Sequence, residues 1–128
     1  MKKLLLLVAI VSLALTCCRA KEPKWILINN DPTSYLFVEQ GSIKRLSGNV
    51  ARAWFTFVSK QPQAIGRKFV QKALSHDEID CTTRRIKIVK ITFYFTDGTE
   101  QSLSKELSAI DIKPGSPAEA QFNYLCKK

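Results

Sequence analysis

Two cysteines carry the plainest chemistry in this 128-residue chain. Cys81 ends the run His76-Asp77-Glu78-Ile79-Asp80-Cys81, and Cys126 closes Asn123-Tyr124-Leu125-Cys126. A redox-active pair usually sits close in sequence, as Cys-x-x-Cys, in an electropositive setting. These two lie far apart, so they read as a structural disulfide. Closing a loop of that length contributes ~4 kcal/mol through loop-closure entropy, a large share of the stability of a small domain.

The run before Cys81 holds the single histidine and three carboxylates. Asp77 or Glu78 could orient His76 as a general base, but no nucleophile stands in register with it. His76 reads as an exposed histidine of a loop or edge strand. His76, Asp77, Glu78 and Asp80 do not form a metal motif either. Adjacent strand positions point to opposite faces, so these side chains would not converge on one ion. No catalysis, metal or cofactor is expected.

Basic residues suggest binding. Arg84, Arg85, Lys87 and Lys90 fall along one segment, preceded by Arg67, Lys68 and Lys72. By strand alternation Arg84 shares a face with Lys90 and Tyr94, and Arg85 with Lys87. Such a stripe attracts anionic partners: lipid head groups, surface polysaccharide or acidic protein segments. It also serves as a charged surface that stops sheet edges from pairing, which is the commoner role. Trp25, Tyr35, Trp54 and Tyr94 could form an aromatic contact face, although strand aromatics mostly pack in cores. Trp54 is expected in the core. Arg67, Lys68, Arg84, Lys90 and Tyr94 are the candidate binding surface.

These residues need a sheet to position them. Trp25 to Asn29 reads as a strand stopped by Asn30-Asp31-Pro32. Tyr35 to Glu39 is a second, Ile43 to Leu46 a short third. Gly48-Asn49 then fits a tight hairpin. Val50 to Ser59 is apolar on both faces and reads as a central strand. Lys60 to Lys68, polar with Pro62 and Gly66, reads as a loop. Phe69 to Cys81 reads as a strand, with a helix over Phe69 to Leu74 as the alternative. Thr83 to Phe95 is the longest strand, with Val89, Ile91, Phe93 and Phe95 on its core face and Ile86 and Ile88 on the other. Asp97-Gly98 turns the chain into Thr99 to Leu103. Lys105 to Ile112 is a connection with room for a helical turn. Ser116-Pro117-Ala118-Glu119 is a capping box that opens a C-terminal helix. Ala118, Phe122, Leu125 and Cys126 share its buried face.

Residues 1–20 read as an export leader. Met1-Lys2-Lys3 precedes the apolar run Leu4 to Leu15, and Cys18-Arg19-Ala20 offers a cleavage site. Cys17 or Cys18 is alternatively a lipidation cysteine. The apolar run is short for a membrane span, and no later segment is a candidate. Removing the leader takes away Lys2, Lys3 and Arg19 and no acidic residue, so the formal net charge of +9 falls to +6. What remains, residues 21–128, is one domain with two cysteines, a number that favours a disulfide in an exported chain. Export disfavours a nucleic-acid partner.

The chain resembles the surface-adhesin protein E family, small exported or lipid-anchored bacterial proteins. The likeness begins at Trp25-Ile26-Leu27-Ile28 and continues through Tyr35-Leu36-Phe37-Val38-Glu39-Gln40-Gly41-Ser42-Ile43-Lys44-Arg45. It runs on through Gly48-Asn49, Ala53-Trp54 and Glu78-Ile79-Asp80-Cys81. Arg84-Arg85-Ile86-Lys87-Ile88, Phe93-Tyr94, Ile112-Lys113-Pro114-Gly115-Ser116 and Leu125-Cys126 complete it. Glu39 departs from the Asp more usual in the family. The resemblance implies an α+β fold, an antiparallel sheet with a C-terminal helix packed on one face, and a disulfide joining Cys81 to Cys126. It implies a non-enzymatic binding protein in the periplasm or on the outer surface of a Gram-negative bacterium. The partner would be a host-matrix, protein or anionic envelope macromolecule, and the chain could form a homodimer. The alternatives are a periplasmic envelope protein without a host ligand and an inhibitor-like partner of another exported protein.

Overall fold

Three long strands form the centre of the molecule, and their apolar alternation sets the rest. The computed structural model describes residues 21–105 and 107–127. The expected leader, with Cys17 and Cys18, lies outside the described residues. The elements are β1 (Trp25–Asn30), β2 (Ser34–Glu39), β3 (Lys44–Leu46), β4 (Val50–Ile65), β5 (Lys68–Asp80), β6 (Arg85–Phe95), β7 (Glu100–Leu103), β8 (Ile110–Asp111) and α1 (Pro117–Cys126). All the strands pair antiparallel in one sheet, in the order β1-β2-β4-β5-β6-β7. β3 lies beside the start of β4 and β8 beside the start of β6. The expected sheet, helix and disulfide are all present.

β4 alternates cleanly. Ala51, Ala53 and Phe55 are fully buried beneath α1, whereas Arg52, Trp54 and Thr56 point to the opposite, helix-free face and are only half-buried. The two alanines give the helix room to approach the sheet. Phe122 and Leu125 of α1 close a core with Leu36, Val38, Phe55, Ile79, Ile86 and Ile112. The Cys81–Cys126 bond, with Cα atoms 5.6 Å apart, ties the helix end to the end of β5. Arg45 of β3 donates to the carbonyl of Leu125 and secures the same helix end.

Several expectations are corrected. β4 does not stop at Ser59 but runs to Ile65, turning at Gly66-Arg67, with Gly66 at φ +61°. Its pairing with β5 is interrupted between Val58 and Gln63. Pro62 therefore sits where no ladder donor is required, the usual condition for proline in a strand. Phe69 to Leu74 is strand, as expected, and the helical alternative for it is overturned. Among the described residues the connection after β7 holds the two-residue β8 and no helical turn.

The largest correction concerns β6. His76 pairs with Lys90 and Asp77 with Ile88, so Val89 is an extra residue in the ladder. A bulge of this kind shifts the alternation by one. Ile86 and Ile88 therefore share the helix side with Ile91 and Phe93, while Arg85, Lys87, Lys90 and Tyr94 all lie on the helix-free side. Arg84 belongs to neither, because it lies in the β5–β6 turn at φ +55°.

The helix start is half of a capping box. The Ser116 hydroxyl accepts from the Glu119 amide at 3.3 Å. Glu119 does not reach back: its carboxylate pairs with Arg84 at 3.8 Å, and the Ser116 amide donates to the Lys113 carbonyl.

The lengths of α1 and β4 do not match. Ten helical residues span about 15 Å, whereas the sixteen residues of β4 span roughly 50 Å. The helix therefore covers one end of its side of the sheet and leaves the hairpin end of β4, β5 and β6 uncovered.

Candidate functional site

The helix-free face collects the aromatic and basic residues that the alternation of β2, β4, β5 and β6 assigns to it. At its middle the rings of Trp54 and His76, opposite one another in the β4–β5 ladder, stack with centroids 4.4 Å apart and 4° between planes. His76 is thus a half-buried residue of a central strand, not an exposed edge histidine. Burial, then the charge of Arg52, hold its pKa below the ordinary imidazole value, outweighing the opposing pull of Glu78. Burial thus favours the neutral imidazole, which suits stacking. Trp54 is likewise not under the helix; it is the centre of this opposite face.

Next to the stack, Glu78 receives Arg52 and Lys87, the latter at 3.3 Å. Burial raises the pKa of Glu78, but these hydrogen bonds and charges outweigh it and keep the carboxyl below its usual range. One carboxylate between two cations leaves a net positive charge there.

Toward the hairpin end the face opens into a shallow groove of about 400 Å³, lined by Trp25, Phe37, Thr56, Val58, Lys72, Leu74 and Tyr94. Trp25, on the edge strand, is 39% exposed. The Lys72 ammonium stands 4.9 Å from the centre of the Tyr94 ring, and Lys60 stands 4.2 Å from that of Tyr35. These cation–π contacts hold lysines over the aromatic floor. Lys90 is exposed on the same face, opposite His76. The arrangement offers apolar contact area with a positive rim.

The five residues expected to form a binding surface do not come together. Lys90 and Tyr94 belong to this face. Arg67 and Lys68 lie at the β4–β5 hairpin, where Lys68 donates to Thr99 at 2.7 Å and pairs with Asp97 at 3.4 Å. Arg84 is at the far end of β5, its guanidinium 4.3 Å from the Phe122 ring centre. The thirteen residues of β5 separate these ends by roughly 40 Å.

The acidic run divides as alternation requires. Asp80 closes the β5–β6 turn by accepting from the amides of Thr82 and Thr83 at 2.9 and 3.1 Å. Asp77 faces the helix instead and is 2% exposed. It accepts from the Ser75 hydroxyl and from Gln121 Nε2, the latter at 2.7 Å. Burial pushes its pKa up to about 6, against the opposing effect of these two hydrogen bonds. Neither the Trp54–His76 stack nor the burial of Asp77 is read from the sequence above. Aligning the alternations of β4 and β5 would have placed Trp54 with His76, had the register been known.

The profile of the family described as surface-adhesin protein E matches residues 25–127. No curated protein matches the chain. Crystal form II of Haemophilus influenzae protein E is similar with a TM-score of 0.55 at 10% identity, covering 85% of this chain and 96% of that one. A second structure of that protein gives the same score and identity, covering 84% and 86%. A selenomethionine form gives 0.52, again at 10% identity, covering 85% and 95%. At this identity the likeness concerns the fold, and the profile match extends over four-fifths of the sequence. The chain belongs to the surface-adhesin protein E family.

Proposed function

We propose that the chain is an exported, non-enzymatic binding protein that holds an acidic segment of a host-matrix protein on its helix-free face. The observation that carries this is the aromatic groove with Lys72 at its wall and Lys60 and Lys90 nearby. Half-exposed aromatic rings give contact area at little conformational cost, and flanking cations attract and orient an anionic partner. The net charge of +6 over residues 21–128 steers in the same direction. Residues 1–20 act as the export leader in this reading, with Cys17 or Cys18 as the attachment point if the protein is lipid-anchored. Among the described residues no helix is long and apolar enough to cross a membrane.

The experiment is a binding assay on immobilised matrix proteins with the wild type and with Lys72→Glu, Lys90→Glu and Trp25→Ala. Each substitution should weaken binding, the charge reversals most at low salt. Binding that survives all three places the contact elsewhere. Treatment of intact cells with protease should remove the protein. Full protection there would favour an envelope role with no host ligand.

A further inference from the structure

The helix side of the sheet carries a second groove, away from the face proposed to hold the macromolecule. Because α1 is short, the space beyond its N-terminus stays open, as a groove of about 420 Å³. Its floor is Phe57, Ala73, Ile88, Ile91 and Phe93, and Asp77 lies in its wall beside Gln121 and Pro117. The volume is in the range of small-ligand sites. Thr33, Ser34, Ser59, Gln63 and Ser75 also line it, and Asp77 is its one charged group among the described residues, so the site suits an elongated apolar molecule with a single charged head.

The chemistry of that head follows from Asp77. Its two oxygens accept from Ser75 and Gln121, both neutral donors. Among the described residues no charged side chain contributes to its titration, which is governed by burial and those two bonds. An ionised carboxylate keeps further lone pairs after accepting two hydrogen bonds, and a buried one without a counter-charge is costly. A cation at this place would relieve that cost. We propose that this groove binds a small amphiphilic amine, its alkyl chain along Ile88, Ile91 and Phe93 and its ammonium on Asp77.

The preference has a definite direction. Alkyl ammonium gains an ion pair together with its hydrogen bond, alcohol a hydrogen bond to the carboxylate without a counter-charge, and alkyl carboxylate meets a like charge. Protonation of Asp77 removes the advantage of the ammonium, so its affinity declines as the pH falls below about 6.

The test compares octylamine, octanol and octanoate by titration calorimetry on the disulfide-intact chain at about pH 8. Octylamine should bind at least about tenfold more tightly than octanol, and octanoate more weakly than either. Asp77→Asn, which is close in shape, should abolish the preference for octylamine and leave octanol binding in place. A measurement that needs no variant follows the Asp77 carboxyl carbon by NMR: saturating octylamine should move its titration to lower pH. Equal affinity for the three probes, or an unmoved Asp77 titration, overturns the proposal. So does occlusion of the groove by a second copy, read as a sedimentation mass of two chains with no uptake of any probe.

Discussion

The two faces of this sheet are made by the same strands and differ in what covers them. On the helix side, β4 presents Ala51, Ala53 and Phe55, all fully buried, and β5 presents Ile79 beside the disulfide. On the other side the same strands present Trp54, Thr56, His76 and Leu74, none of them fully buried. The helix-free side carries the larger aromatic groups, so apolar content does not distinguish core from surface here. Cover does: Phe122 and Leu125 of α1 supply it on one side only. The first face is a fitted packing of small and large side chains. The second keeps apolar area and positive charge available for a partner.

The contrast can be broken most directly at the staple. Replacing Cys81 and Cys126 together by serine should lower stability by ~4 kcal/mol, read as a shift of the urea midpoint. Circular dichroism should show loss of the α1 signal before loss of the sheet. A loss of less than about 1 kcal/mol would mean that packing alone holds the helix.

Leu125→Ala removes a fully buried side chain from the covered face and should cost about 3 kcal/mol in the same experiment. A cost near zero would show that the helix is not the cover described.

Asp77 tests the covered face through pH. Its pKa of about 6 in the folded chain, against the ordinary 3.8, means that the folded state holds the proton more tightly. The stability this gives is complete below the unfolded value and is lost as the pH rises through about 6. Asp77→Asn should therefore gain on the wild type by on the order of 2 kcal/mol between about pH 4 and about pH 8. Thermal melts across that range check it, and parallel curves would show that Asp77 does not titrate with folding.

The smallest effect on stability should come from the open face. Trp25→Ala, on an exposed edge, should change stability by about 0.5 kcal/mol or less while weakening attachment to matrix protein. The reverse result, a large loss of stability with unchanged binding, would make the aromatic groove a second core.

Much of the fold could be read in advance, and the particular residues show why. Asn30-Asp31-Pro32, Gly48-Asn49 and Asp97-Gly98 act through their own backbone preferences, and the turns are where they were expected. Ser116-Pro117 starts α1 for the same local reason, and the pairing of Cys81 with Cys126 followed from their number and from the family resemblance. The extension of β4 past Ser59 is not legible, because Gln63, Ala64 and Ile65 are held in strand by β5 and Lys60 by its amide bond to the Thr33 carbonyl, not by their own propensity. The bulge at Val89 was not legible either. Alternation read straight through Thr83 to Phe95 splits Ile86 and Ile88 from Ile91 and Phe93, and only the ladder with β5 shows the extra residue. The candidate site suffered accordingly. Lys90 and Tyr94 share a face as alternation requires, Arg84 leaves it because it lies in the turn, and the Trp54–His76 stack depends on the β4–β5 register.

The amino-acid sequence by itself determined the order of strands and turns, the start of the helix and the cysteines available to staple it. Each depends on residues close together along the chain or on simple number. The tertiary structure decided which face of the sheet is core, that Asp77 is buried while its neighbours His76 and Glu78 look the other way, and where the aromatic groove and the groove beside Asp77 lie. Strand alternation says which side chains share a face, but burial depends on what another part of the chain lays over that face. The helix that does so here is only ten residues long.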